Sequence, residues 1–238
     1  MRSFILICLL LSGTLTAQLR QDFWPNGNKR AEGKRVDGLE DSTWTFWFEN
    51  GKVSAIINYK TGEIYGKFIY YHSNGKVMQS GTQLGGTPAD TLFNYYLLGN
   101  KKDMTVYANG MRNGIYTSWF ESGVIQASVN YMDGLMEGEY IFYYENGQKA
   151  YSKSYKRGAE NGYVRYWNMD GKEVWKCSFL NGMREGPCAS WYKNGAKESE
   201  GSYSWDVMTG TWKYWDEKGK LVKEETYEKG KLIKTKTH

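Results

Sequence analysis

Catalysis or metal binding in this chain of 238 residues would have to begin with two histidines, His72 and His238, or with three cysteines, Cys8, Cys177 and Cys188. Neither histidine has a second one near it, and the cysteines lack the short paired spacing of a zinc site. His72 stands where Trp24, Phe48, Tyr96, Phe120, Tyr144 and Tyr192 recur, so it reads as one ring replacing another. Glu49, Glu121, Glu145 and Glu217 each stand two residues before a glycine of one regular series. Carboxylates at such intervals form a row along an edge, not the convergent pair that acid–base chemistry needs. The glycines separate strand-like segments and do not lead from a strand into a helix, so no phosphate loop is present. The chain therefore reads as a non-enzyme, with no catalytic residue, metal ligand, cofactor-binding residue or cofactor assigned.

What remains is aromatic. Phe23 opens a series continued by Trp47, Tyr71, Tyr95, Trp119, Tyr143, Trp167, Trp191 and Trp215, always four residues before a glycine. A second series comprises Tyr59, Tyr107, Tyr131, Tyr155, Phe179, Tyr203 and Tyr227, with Arg35 and Gln83 as departures. Packing is the first reading of both. The alternative is that the series from Trp47 to Trp215 forms a ladder on which sugars, choline-like cations or peptides stack.

The elements that position these rings follow from the glycines. Glycine occurs at 27, 51, 75, 99, 123, 147, 171, 195 and 219, a constant step of 24 residues. A second series runs through Gly38, Gly62, Gly86, Gly110, Gly134, Gly158, Gly182 and Gly230, and a third through Gly66, Gly114, Gly138, Gly162, Gly186 and Gly210. Such a period marks a repeat architecture. Asn precedes the first glycine at 26, 50, 74, 146 and 194, and Asn-Gly between apolar runs signals a type I′ hairpin turn. Each of the nine units is thus expected to be one β-hairpin, giving 18 strands. If the second turn is a four-residue loop, the second aromatic series lies opposite the third glycine series. The same register makes Cys177 and Cys188 cross-strand neighbours and a candidate disulfide.

Arg2, an apolar run from Phe4 to Leu11 and small or polar residues to Ala17 read as a cleavable secretory signal, too short to span a bilayer. Loss of residues 1–17 takes one arginine from a formal net charge of +5, too little to imply a nucleic-acid partner. The expected layout is a signal peptide at 1–17, an N-terminal cap and first degenerate repeat at 18–42, β-hairpin repeats at 43–230, and a basic C-terminal tail at 231–238. Pro88, Asp90 and Asp206 interrupt the pattern.

Segments such as Tyr143-Tyr-Glu-Asn-Gly-Gln148 with Tyr155, Gly158 and Gly162, and Trp47-Phe-Glu-Asn-Gly-Lys52 with Tyr59, Gly62 and Gly66, resemble the MORN-repeat variant. The resemblance covers most of residues 23–230. It implies an all-β fold, an elongated, twisted, open antiparallel sheet of one layer in which each hairpin packs on its neighbours. Proteins of this kind are often labelled YwqK-family antitoxins, and MORN repeats in general are linked to membrane attachment and protein scaffolding. The expected function is that of a secreted, periplasmic or cell-envelope monomer that binds another protein or an envelope component. It has no transmembrane segment, and peripheral membrane contact is an alternative use of its basic tail. A glycan- or choline-binding module and an antitoxin-like neutralising protein are the alternatives.

Overall fold

The order of turns decides the order of strands, because the connections among the described residues are short and, apart from one two-residue strand, each strand pairs with the one that follows it. The computed structural model describes residues 17–238. The candidate signal at 1–17 lies outside these apart from Ala17. The first half holds β1 (Ala17–Phe23), β2 (Lys29–Val36), β3 (Leu39–Trp47), β4 (Val53–Lys60), β5 (Glu63–Tyr71), β6 (Val77–Leu84), β7 (Thr87–Pro88), β8 (Leu92–Tyr95), β9 (Lys101–Ala108) and β10 (Met111–Trp119). The second holds β11 (Ile125–Met132), β12 (Leu135–Tyr143), β13 (Lys149–Lys156), β14 (Ala159–Trp167), β15 (Glu173–Leu180), β16 (Met183–Trp191), β17 (Lys197–Ser204), β18 (Val207–Trp215), β19 (Leu221–Glu228) and β20 (Lys231–Thr237). All pair antiparallel in one open 20-stranded meander, with β7 and β8 both lying against β6.

The count exceeds 18 for two reasons. The strand after Gly86 breaks around Ala89 to Thr91, where the Asp90 carboxylate accepts a 2.7 Å bond from the Thr91 amide in place of a glycine bulge. The residues expected to be a basic tail form β20, paired with β19 from Glu228↔Lys231 to Lys223↔Thr237.

The two kinds of turn are the reverse of the expectation. Asn26, Asn50, Asn74, Asn146 and Asn194 keep negative φ while the following glycine is left-handed, φ 83° at Gly147. The Gly147 amide donates to the Tyr144 carbonyl and the Tyr144 amide to that of Gln148. This is a type I turn closed by a glycine bulge. The I′ turns lie at the second glycine series, where Asp133 (φ 49°) and Gly134 (φ 82°) are both left-handed. Asn is retained in the first turn for another reason. Its amide reaches the neighbouring turn, as in Asn146 to the Met169 carbonyl at 2.9 Å and Asn194 to that of Glu217 at 2.8 Å.

The third glycine series also pairs differently from the expectation. The second turn has two residues, and a bulge follows it, so Gly138, Gly162, Gly186 and Gly210 lie opposite Tyr155, Phe179, Tyr203 and Tyr227 of the next strand. These glycines are themselves left-handed, φ 113° at Gly162, a conformation that side chains rarely adopt.

Alternation along each strand gives the sheet two unlike faces. One, the core face, carries Ala55, Ile57 and Phe68 at one end and Cys177, Cys188 and Trp212 at the other, all buried. Trp44 and Trp212 lie across the backbones of Gly33 and Gly201, where a methyl group would overlap the indole. Each indole N–H donates to the carbonyl one residue past its glycine, Lys34 at 3.0 Å and Ser202 at 3.2 Å.

Candidate binding face

The ladder from Trp47 to Trp215 lies on the face opposite the core, and its rings are half-buried. Trp47, Tyr71, Tyr95, Trp119, Tyr143, Trp167, Trp191 and Trp215 therefore share one side of the sheet. No two successive members stack among the described residues. Lysines lie over four of the eight, with Lys29 Nζ 5.1 Å from the Trp47 ring centre, Lys101 5.7 Å from Trp119, Lys149 5.7 Å from Trp167 and Lys197 5.5 Å from Trp215. A ring face occupied by an ammonium group is not open to a sugar. Trp191 also lines a shallow groove of about 610 Å³ with Tyr163, Lys176, Glu200 and Lys213.

The rings one residue further on are tied into the fold. Tyr96, Tyr144 and Tyr192 donate their hydroxyls to the carbonyls of Trp119, Trp167 and Trp215 at 2.8–2.9 Å. Trp24 does the same through its indole N–H to Trp47, and His72 Nε2 lies 3.3 Å from the Tyr95 carbonyl. The histidine thus occupies a ring position and makes that position's hydrogen bond. Glu49, Glu121, Glu145 and Glu217 are exposed on the turn edge.

The core face carries a row of rings that periodicity did not single out. Phe142, Tyr151, Tyr166 and Trp175 stand on the four consecutive strands β12 to β15. Phe142 and Tyr151 are stacked at 5.2 Å and 13°. Tyr151 and Tyr166 follow at 5.8 Å, and Tyr166 and Trp175 at 5.4 Å. Tyr140 stacks on Tyr151 from the side at 5.7 Å, and burial raises its hydroxyl pKa above the ordinary tyrosine range. Tyr166 is 40% exposed, so the strip is open where its rings meet. Beside it Lys153 and Glu160 form a 2.6 Å ion pair, and that hydrogen bond raises the lysine pKa. These rings lie five residues before and four after Gly147 and Gly171, positions filled by rings on both sides in only these two repeats. The signal was present but not periodic.

Cys177 and Cys188 are direct cross-strand partners on β15 and β16, with their sulfurs joined as a disulfide across a separation of 11 residues. Cys177 is fully buried. The pair occupies the slot that Gly33 with Trp44 and Gly201 with Trp212 fill elsewhere.

An open sheet of successive hairpins with rings on both faces defines a hairpin-repeat protein. The family model of the MORN repeat variant matches five segments, residues 40–61, 64–82, 112–133, 136–157 and 208–235. No curated protein matches the chain. Among solved structures, 88% of the chain aligns with 15% of a chain in one titled "Crystal Structure of TcdB2-TccC3-TEV", at 10% identity and a TM-score of 0.22. The chain spans a small part of that chain's length. No helix of the described residues is long and apolar enough to cross a membrane.

Proposed function

We propose that this is a secreted repeat protein that acts by binding another protein or a cell-envelope component, and that the core-face strip of Phe142, Tyr151, Tyr166 and Trp175 is where it does so. The strip itself carries the reading: four rings in contact across four strands, partly open to solvent, with an ion pair alongside. Tyrosine and tryptophan contribute most where interfaces are strongest, because they bury large areas at small entropic cost. Stacked rings present edges and hydroxyls to an incoming partner, which suits a protein surface better than a sugar that needs a ring face. The five segments matching the MORN repeat variant support a binding role for the sheet.

Capture of partners from an envelope or extracellular extract tests the site. The wild-type chain recovers a specific partner, and the pair Tyr166→Ala and Trp175→Ala loses it while the far-ultraviolet spectrum is unchanged. Equal recovery by both chains overturns the assignment. Secretion is read from residues 1–17 and is tested by the N-terminus of the recovered protein, expected near Gln18. Recovery of the intact chain from the cytosol overturns that part.

A further inference from the structure

The sheet is open, so its two outermost strands each leave one row of backbone N–H and C=O groups without a strand beside it among the described residues. Such edges invite pairing with another chain unless the sequence blocks them. The two edges here differ in that respect. Strand β20 carries Lys231, Lys234 and Lys236, and pairing it with its own copy sets ammonium groups against one another. Strand β1 ends in Leu19-Arg20-Gln21-Asp22-Phe23. Turned end for end about Gln21, this order complements itself: apolar faces apolar, base faces acid, and amide faces amide.

We propose that two copies of this chain pair antiparallel through β1 across a two-fold axis at Gln21, joining their sheets into one. Direct partners in an antiparallel ladder share a face. Arg20 of each copy then meets Asp22 of the other on one face, and Leu19 meets Phe23 on the opposite face. The apolar pair covers two exposed side chains, Leu19 at 70% and Phe23 at 55%. Phe23 is the ladder ring at the free edge, and Leu19 of the second copy covers it. Arg20 and Asp22 already form a 2.8 Å ion pair within the strand, so the two-fold brings two such pairs into one alternating cluster of four charges. An isologous contact of this kind closes after two copies and does not propagate. It uses β1 and leaves the core-face strip free.

Sedimentation of the protein recovered from expression of the full sequence, over a series of concentrations, tests the pairing. The wild-type chain sediments at twice its monomer mass. Arg20→Asp places four carboxylates at the axis and Asp22→Arg four guanidinium groups, and each raises the dissociation constant by more than about tenfold. The double variant Arg20→Asp/Asp22→Arg restores complementarity with its sense reversed, and with it the dimer. Lys234→Glu, at the other edge, changes nothing. A wild-type monomer at all concentrations overturns the proposal, as does a dimer that survives either single substitution or is not restored by the double one. Far-ultraviolet spectra and melting temperatures close to wild type establish that each variant is folded.

Discussion

Gly201 shows how much a single residue decides in a one-layer sheet. With few side chains stacked on either face, the indole of Trp212 must lie directly on a neighbouring strand, and only a residue without a Cβ leaves room for it. Gly201→Ala drives a methyl group into a rigid ring held by its own hydrogen bond to Ser202. It is expected to cost about 2–4 kcal/mol, in the range of overpacked cores or above it. Gly27→Ala is the comparison, since a methyl there meets nothing and only the left-handed φ of 87° opposes it. That change is expected to cost about 1 kcal/mol. Urea denaturation of both variants checks the difference. Gly33 and Gly201 both lie outside the three periodic series, so the period of 24 does not single them out. Their role is legible only once Trp44 and Trp212 are seen across them.

At the level of the hairpin, the slot shared by Gly33 with Trp44, Cys177 with Cys188 and Gly201 with Trp212 has more than one solution. A small residue under a large ring and a covalent link both fill the space between β-strands joined by an I′ turn. Loss of the link in Cys177→Ala/Cys188→Ala removes a cross-link over a short loop and is expected to cost about 2–3 kcal/mol. Replacement by the solution used in the neighbouring repeats, Cys177→Gly/Cys188→Trp, is expected to recover at least about 1 kcal/mol of that through aromatic burial. Melting curves of the two variants, compared under oxidising conditions, decide between them, and equal melting temperatures would refute the shared-slot account. That these cysteines face one another was legible in the sequence, although by way of a four-residue turn where the structure has a two-residue turn and a bulge. The turn types were not. Asn before the first glycine looks the same in a type I turn with a bulge as in a type I′ turn, and only its backbone φ, negative here, separates the two.

Across the whole molecule, charge and burial set opposite limits on stability with pH. Hydrogen bonds from Arg184 hold the Asp206 carboxyl below its usual range, and Lys223 does the same for Glu225. Glu40 is lowered by its own backbone amide and then by Arg35. Because these folded values are depressed, their contribution is present above the ordinary carboxylate pKa of about 4 and is lost as pH falls through the lower folded values. Tyr140 and Tyr214 are raised, mainly by burial. Their contribution is complete below the ordinary tyrosine pKa of about 10 and is lost as pH rises towards the higher folded values. The melting temperature is therefore expected to be flat from about pH 5 to pH 9 and to fall on both sides. Tyr140→Phe should lessen the alkaline fall without altering the acid one. Equal alkaline falls in the two chains would remove Tyr140 from the account.

The period of 24 and the hairpin as the unit follow from the sequence alone, because both are local. They depend on which residues tolerate left-handed backbone and on alternation along a strand. Tertiary structure decided which face each ring occupies, that a lysine lies over Trp47, Trp119, Trp167 and Trp215, and that Phe142, Tyr151, Tyr166 and Trp175 meet. It also decided that Asp206, left-handed at φ 65°, replaces a glycine with the support of Arg184, 22 residues away. Those outcomes depend on contacts between strands of successive repeats. A bulge of one or two residues shifts such contacts, and nothing in the spacing along the chain records it.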